Sequence, residues 1–235
     1  MITIKIKDSS ELTSDFPLTA REVLARLDYP DKKLVVACRV NAVQRPLSWK
    51  IDMDSVVDFI KTDTLEGMEV YIRTLSFMLT TAARRACQIR LTLRQSINNA
   101  YYYDSPSGPI SGKQCKAILV EMRRMVEDGT PLVREEVSID KACVIMLSQG
   151  YNNKDSLLRW VGNDPVVLYR CEGVYDFFGG ALADTASMIP VFNLCTYRAG
   201  LFLICPSFKD PTKVRELHNS PKTLSLFQDY TKWLD

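Results

Sequence analysis

Histidine is almost missing: the 235 residues contain one, His218. A metal site built from several histidines is excluded, and any imidazole base would have to be that residue. His218 reads as a surface loop residue. Net charge is nearly missing too, with 30 Lys+Arg against 28 Asp+Glu, a formal +2. That excludes a polybasic nucleic-acid binder held by bulk electrostatics, although not a local basic patch. No apolar run reaches the ~18 residues of a membrane helix, and the opening stretch has no signal-peptide core. No membrane partner is expected. The chain has no C-x-x-C pair. Its seven cysteines, Cys38, Cys87, Cys115, Cys143, Cys171, Cys195 and Cys205, are odd in number and widely spaced. They read as reduced, small apolar residues of a cytoplasmic protein rather than a disulfide framework. A phosphate-binding P-loop is absent as well. In the nearest match, Gly108 to Gln114, three residues separate the glycines where four are needed. Gln114 lacks the Mg²⁺-binding hydroxyl, so this is a loop before a helix.

What is present begins with alternation. Ile2, Ile4 and Ile6 alternate with Thr3, Lys5 and Lys7, a strand with one apolar face. Thr19 and Glu22 form a capping box ahead of a short helix that ends before Tyr29-Pro30. Leu34 to Val40 is β-rich, Asn41-Ala42 is a turn, and Val56 to Ile60 closes the segment as a strand. Residues 1–62 therefore predict a small mixed sheet packed on one helix. The order of these pieces, with the Val40-Asn41 turn and the closing strand, resembles the TGS domain, a β-grasp module.

Asp63 to Gly67 reads as a polar hinge. Met68, Tyr71, Ile72, Leu75, Met78, Leu79, Ala82, Ala83 and Ala86 then recur at helical spacing, predicting an amphipathic helix of about five turns. D-x-x-E-G running into this helix resembles the entry to the second, editing domain of threonyl-tRNA synthetase. There the helix carries H-S-x-x-H, and a later segment reads D-x-C-x-G-x-H. Here Arg73 and Phe77 occupy the two histidine positions. Asp176 and Gly180 keep the second frame, while Phe178 and Leu182 replace its Cys and His. Neither a permanently cationic Arg nor a Phe ligates a metal. The resemblance therefore implies that the editing chemistry is lost and the cleft filled or repurposed. It continues through Tyr101-Tyr102-Tyr103-Asp104, a helix capped by Ser111, a strand over 131–137, a helix capped by Ser138 and the run Tyr169 to Gly173.

Glu66-Gly67-Met68, followed by Tyr71, Arg73, Leu75, Phe77 and Leu79, is more similar still to long-form bacterial uridine kinase-like proteins. These carry a TGS module, a synthetase-like domain and a P-loop kinase domain. The ending, Phe227 to Leu234 after a helix start at Ser220-Pro221, is also similar to that family. The resemblance implies an α+β fold: a β-grasp module over 1–62, then over 63–235 an antiparallel sheet with helices on one side. The long helix should border a cleft closed by residues 176–182. It also implies a C-terminal kinase domain as partner, cut off at Asp235, with ATP and Mg²⁺ belonging to that domain and no cofactor here.

The functional expectation is a non-catalytic regulatory or ligand-binding region of such a kinase. The alternative is a stand-alone RNA- or nucleotide-binding module derived from the synthetase; a free-standing hydrolase using other residues is a third reading. Candidate cleft residues are Arg73, Phe77, Asp176, Phe178, Gly179, Gly180 and Leu182. Arg73 is either an anion ligand or a structural ion pair, and Gly179-Gly180 serve a tight turn or hold an anion. Arg84, Arg85, Arg90 and Arg94 form a basic cluster that either contacts RNA phosphate or is a solvated helix end. Tyr101, Tyr102 and Tyr103 could stack bases, with Tyr102 facing opposite to the other two.

Overall fold

The alternating isoleucines of β1 (Ile2–Ile6) bury Ile4 and Ile6 and leave Lys5 in solvent. The structure is a computed structural model, which describes residues 1–7, 10–151 and 165–214. His218 and the helix expected from Ser220 lie outside the described residues. β1 pairs with β2 (Glu11–Ser14); β3 (Leu18–Thr19) leads into α1 (Ala20–Arg26). The capping box forms as read: the Glu22 amide donates to Thr19 Oγ1 at 3.2 Å, and the Thr19 amide donates to Glu22 Oε2 at 2.7 Å. β4 (Val35–Val40) turns into β5 (Val43–Arg45) through Asn41 and Ala42, both at positive φ, 49° and 67°. This two-residue reversal matches the strand twist. The Asn41 side chain accepts from the Val56 amide at 2.9 Å, which ties the turn to its neighbour. β6 (Lys50–Ile51) pairs with β3, and β7 (Ser55–Lys61) lies parallel to β1 and antiparallel to β4. The five-stranded order is β2-β1-β7-β4-β5. Val23 and Leu24 of α1 pack on Ile4, Val57 and Phe59 to make a first core.

The long helix is α2 (Leu65–Cys87), and it differs from the sequence reading in two ways. It starts earlier, because the Thr64 hydroxyl caps the Gly67 amide at 3.1 Å; Leu65 to Gly67 are its first turn and not a hinge. It is also buried on more than one face. Val70, Thr74, Phe77 and Thr81 are buried along with the expected stripe, while Ala86 is exposed. The periodicity showed only the larger of two contacts. One side of α2 faces the main core, and Val70 joins Val36, Ala37, Ile60 and Ala181 in a small second cluster.

Beyond α2, β8 (Thr92–Ile97) and β9 (Ala100–Asp104) form a hairpin, followed by α3 (Gly112–Glu127), β10 (Val133–Val137) and α4 (Ile139–Ser148). The Gly108 to Gln114 stretch is a loop and helix start, with Ser111 and Gln114 in a capping box. The chain continues through β11 (Val166–Cys171), β12 (Val174–Asp176), β13 (Asn193–Tyr197) and β14 (Gly200–Ile204). The fold class is α+β. The single sheet expected after residue 62 is in fact two, ordered β10-β11-β12 and β13-β14-β9-β8. The break lies between β12 and β13, where backbone amides are satisfied by side chains rather than a ladder. Leu182 donates to the Tyr169 hydroxyl, Ala183 to Thr74 Oγ1 and Val191 to the Tyr71 hydroxyl. Apart from a single bridge between Thr185 and Pro131, this segment is laid along α2 and joins no ladder.

Candidate functional site: a cavity beside the long helix

Residues 72–80 of α2, the strand pair β8–β9 and the loop after β12 enclose a cavity of about 690 Å³. Ile72, Arg73, Ser76 and Thr80 line it from α2, Tyr101 and Tyr103 from β9, Asp176 from the end of β12 and Phe178 from the loop that follows. Arg73 and Asp176, 103 positions apart in sequence (176 − 73), thus share one cleft. Strand alternation decides which tyrosines reach it. Tyr101 and Tyr103 face the cavity, whereas Tyr102 packs with Phe202 and Ile204 on the other side of the sheet. The Tyr103 hydroxyl donates to Ser76 Oγ at 2.9 Å. Burial pushes both the Tyr101 and Tyr103 phenols up, so they are donors and not bases.

Arg73 is a brace. Its Nη2 donates to Gln44 Oε1 at 2.9 Å and to the Ala181 carbonyl at 3.3 Å. Gln44 Oε1 also accepts the Ala181 amide at 2.8 Å, and Gln44 Nε2 donates to Glu66 Oε1 at 2.9 Å. One amide side chain from β5 thereby joins the N-terminal sheet, α2 and the closing loop. Burial lowers the Arg73 pKa, opposed by Glu69, whose carboxylate is 3.8 Å away. Gly180 is where this brace passes closest: a Cβ there would stand 2.7 Å from Gln44 Oε1 and 2.8 Å from Arg73 Nη2. Neither Gly179 nor Gly180 has a positive φ, so the tight turn expected there is a bend. Close approach, rather than a left-handed backbone, calls for a small residue at 180.

Phe77 and Leu182 are fully buried. Phe178 lies edge-on to Phe77 with ring centroids 5.4 Å apart, and to Tyr169 at 6.2 Å. Three of the four replaced positions therefore form one apolar wall. Asp176 is 9% exposed, and its Oδ1 accepts from the Phe177 amide at 2.8 Å. It is the single carboxylate among the lining residues, which include no His, Cys or Lys. No cluster of three or more His, Cys, Asp or Glu side chains suited to a metal occurs among the described residues. The arrangement offers aromatic faces, hydroxyls, one carboxylate and two cations, Arg73 and Arg90. Among these lining residues Asp176 is the one carboxylate, and no His, Cys or Lys stands beside it as a proton-transfer partner.

The four arginines read as one cluster do not form one patch. Arg84 donates to the Gln149 carbonyl and Arg90 to the Gly150 carbonyl, so both clamp the end of α4. Both also lie over the Tyr151 ring, at 5.0 and 5.7 Å. Arg85 points to α3, pairing with Glu121 at 3.0 Å and Glu172 at 2.9 Å. Arg94 pairs with Asp104 at 2.8 Å. Successive helix residues project about 100° apart, which separates Arg84 from Arg85. Sequence reading missed Gln44, Ser76 and Tyr151. Ser76 and Tyr151 sit at cavity walls that only packing defines. Gln44 meets residues 29 and 137 positions away and carries no local signal.

Among the described residues no helix is long and apolar enough to cross a membrane. No protein-family model matches the chain. The chain is similar to threonyl-tRNA synthetases. It is 29% identical to the threonine--tRNA ligase of Azoarcus sp. over 205 residues, 86% of this chain and 32% of that protein. The ligase of Nitratidesulfovibrio vulgaris is 28% identical over 69% of the chain, and that of Acidithiobacillus ferrooxidans 25% identical over 83%. The chain spans about a third or less of the length of these relatives, 32%, 26% and 31%. What it shares with them is a synthetase-like region. The kinase context rests on the Glu66–Leu79 and Phe227–Leu234 motifs alone.

Proposed function

We propose that this region is a non-hydrolytic binding module of threonyl-tRNA synthetase type, whose cavity holds the nucleoside end of an RNA strand or a free nucleotide. Residues 1–62 act as its β-grasp, TGS-like part and 63–235 as its degenerate editing-like part. One observation carries the reading. Of the four positions where the resemblance expects catalytic side chains, two line the cavity as Arg73 and Phe178 and two are buried as Phe77 and Leu182, Phe77 packed against Phe178, while a cavity of about 690 Å³ stays open. Tyr101 and Phe178 supply faces for a base, and the Asp176 carboxylate accepts from a ribose hydroxyl or an exocyclic amine.

Calorimetric titration with adenosine, uridine and a short single-stranded RNA tests the reading. Saturable binding weakened at least about tenfold by Asp176→Asn and by Tyr101→Ala is the expected result. The absence of binding at millimolar ligand, or variants that bind as tightly as the parent, overturns it. Mischarged tRNA incubated with the chain should stay intact; measurable deacylation would overturn the non-hydrolytic half.

A second reading, the accessory region of a nucleoside kinase acting in the cytoplasm, is favoured by one specific string. Arg73 and Phe77 within Glu66–Leu79 match the kinase-like family better than the synthetase. In that reading the partner is a P-loop domain using ATP and Mg²⁺. Following the reading frame past codon 235 tests it, because an in-frame P-loop supports the kinase and a stop codon removes it.

A further inference from the structure

A second cavity, of about 670 Å³, opens where β5 meets the loop after β12 and the start of β11. Phe178 lines both cavities, so its ring is part of the partition between them. The charge of the second cavity is one-sided. Arg45 and Arg134 line it, and no acidic residue does. Both guanidinium groups lie over one indole, with Arg45 Cζ 3.8 Å and Arg134 Cζ 5.1 Å from the Trp49 ring centroid. The Arg134 side chain is 14% exposed and pairs with Glu136 at 2.8 Å. Among the described residues, no carboxylate forms an ion pair with Arg45.

Two cations gathered on one ring repel each other in a half-buried place, and one carboxylate offsets one of them. The indole face compensates part of the remainder. A phosphate oxygen pair between the two forks would compensate the rest, through the geometry in which guanidinium binds phosphate best. The opposite wall leaves room for it. Gly179 has no atom within 4 Å of where a Cβ would sit, so a ligand can approach the backbone there. Val166, Val167 and Phe177 make much of the remaining lining apolar, which keeps the two guanidinium groups as its charged feature.

We propose that this second cavity is a phosphate-ester site, with Arg45 and Arg134 as its two ligands. It rests on the nucleoside reading for the rest of the ligand, whose base and ribose would lie on the other side of Phe178. The phosphate is either the terminal group of a nucleotide or a bridging group of an RNA strand.

Trp49, over whose ring both arginines lie, is a reporter of them. The chain has three tryptophans, so replacing Trp160 and Trp233 by Phe leaves Trp49 alone. Its fluorescence is then followed during titration with inorganic pyrophosphate and with an RNA trinucleotide lacking terminal phosphates. A saturable change with either probe is expected. Pyrophosphate binding assigns the site to terminal phosphates, and trinucleotide binding to phosphodiesters. Arg45→Gln and Arg134→Gln should each weaken binding about tenfold or more, and Arg45→Lys by less, since it keeps the charge and loses the fork. Gly179→Leu enters open space and fills the mouth, and should give the same loss with both arginines intact. No saturable change with either probe overturns the proposal, as do Gln variants that bind as tightly as the parent. Calorimetry with adenosine separates this proposal from the nucleoside reading. Adenosine binding without phosphate binding sinks the second cavity alone, and the reverse sinks the first alone.

Discussion

Replacing Gly67 by alanine sets two physical arguments against each other. Gly67 sits in the first turn of α2, where helix propensity favours Ala over Gly by up to ~1 kcal/mol. Propensity alone predicts stabilisation. The structure predicts the opposite. A Cβ on residue 67 would stand 1.9 Å from the Lys61 carbonyl oxygen and 2.5 Å from its carbon. That oxygen is fixed twice, accepting from the Thr64 amide at 3.1 Å and from Thr64 Oγ1 at 2.7 Å. It cannot step aside as a side-chain tip could. The end of β7 or the start of α2 must move by more than an ångström, and the Thr64 cap on the Gly67 amide strains with it. Overpacking of this kind costs up to ~3 kcal/mol, leaving a net loss of about 2 kcal/mol after the propensity gain. For a chain this size that is a fall in Tm of roughly 4–8 °C. Urea unfolding of parent and Gly67→Ala, read by far-UV circular dichroism, measures the difference. A variant as stable as the parent, or more stable, would refute the contact and with it the fixed joint between β7 and α2.

Gln44→Leu keeps the volume near the brace and removes three hydrogen bonds, leaving the buried Ala181 amide without its acceptor. A loss of about 2 kcal/mol is expected, with faster hydrogen exchange at Ala181; unchanged exchange would count against the brace. Leu182→His restores a residue type that the synthetase resemblance places there, but into a fully buried position. It should destabilise by about 3 kcal/mol without creating hydrolysis, as thermal unfolding and a deacylation assay would show. Burial pushes the Cys38 and Cys171 thiols up from 9.0 to about 12. Above the ordinary value the unfolded chain loses these protons and the folded chain keeps them, so stability falls as pH rises from 9.0 toward 12. The slope approaches on the order of 1 kcal/mol per pH unit for each thiol, and Cys38→Val should remove its share. Urea midpoints taken below pH 10.0, the ordinary value of the buried Tyr71 and Tyr103 phenols, leave the buried thiols, Cys205 among them, as the source of the slope, and the difference between parent and Cys38→Val isolates one of them. A flat alkaline limb in the parent would refute it.

Local chemistry was legible in the sequence where a residue's partner lies within a few positions. Thr19 with Glu22 and Ser111 with Gln114 set two helix starts through caps that close within three residues. The Asn41-Ala42 reversal and the alternation that splits Tyr102 from Tyr101 and Tyr103 are equally local. Legibility ended where burial comes from a second neighbour. The stripe on α2 was visible, but Val70 and Phe77 are buried by elements whose arrival periodicity does not encode. The same limit explains the sheet. Nothing near residues 177–192 shows that their amides will be taken by Tyr169, Thr74 and Tyr71 instead of a neighbouring strand. The arginines were visible as charges. Their division among Gln149, Gly150, Glu121, Glu172 and Asp104 depends on contacts far away in the chain.

The replaced positions behave as a unit, and this bears on what the cavity can become. Phe178 packs edge-on to Phe77 and Tyr169; Tyr169 in turn holds the Leu182 amide, and Arg73 holds the adjoining Ala181 carbonyl. A histidine at 77 or 182 enters a fully buried, apolar position, where its ring nitrogens lose their solvent hydrogen bonds. A cysteine at 178 removes the ring that supports Phe77 and opens the partition toward Arg45 and Arg134. Changing Arg73 releases the Ala181 carbonyl and with it the loop that follows Asp176. Each single reversal is therefore opposed by the other three positions, so the energies of the four substitutions are coupled rather than additive. Restoring the side chains that the synthetase resemblance places here, one residue at a time, would first require loosening the wall. The binding role proposed for this cavity uses the wall as it stands and asks for no such loosening.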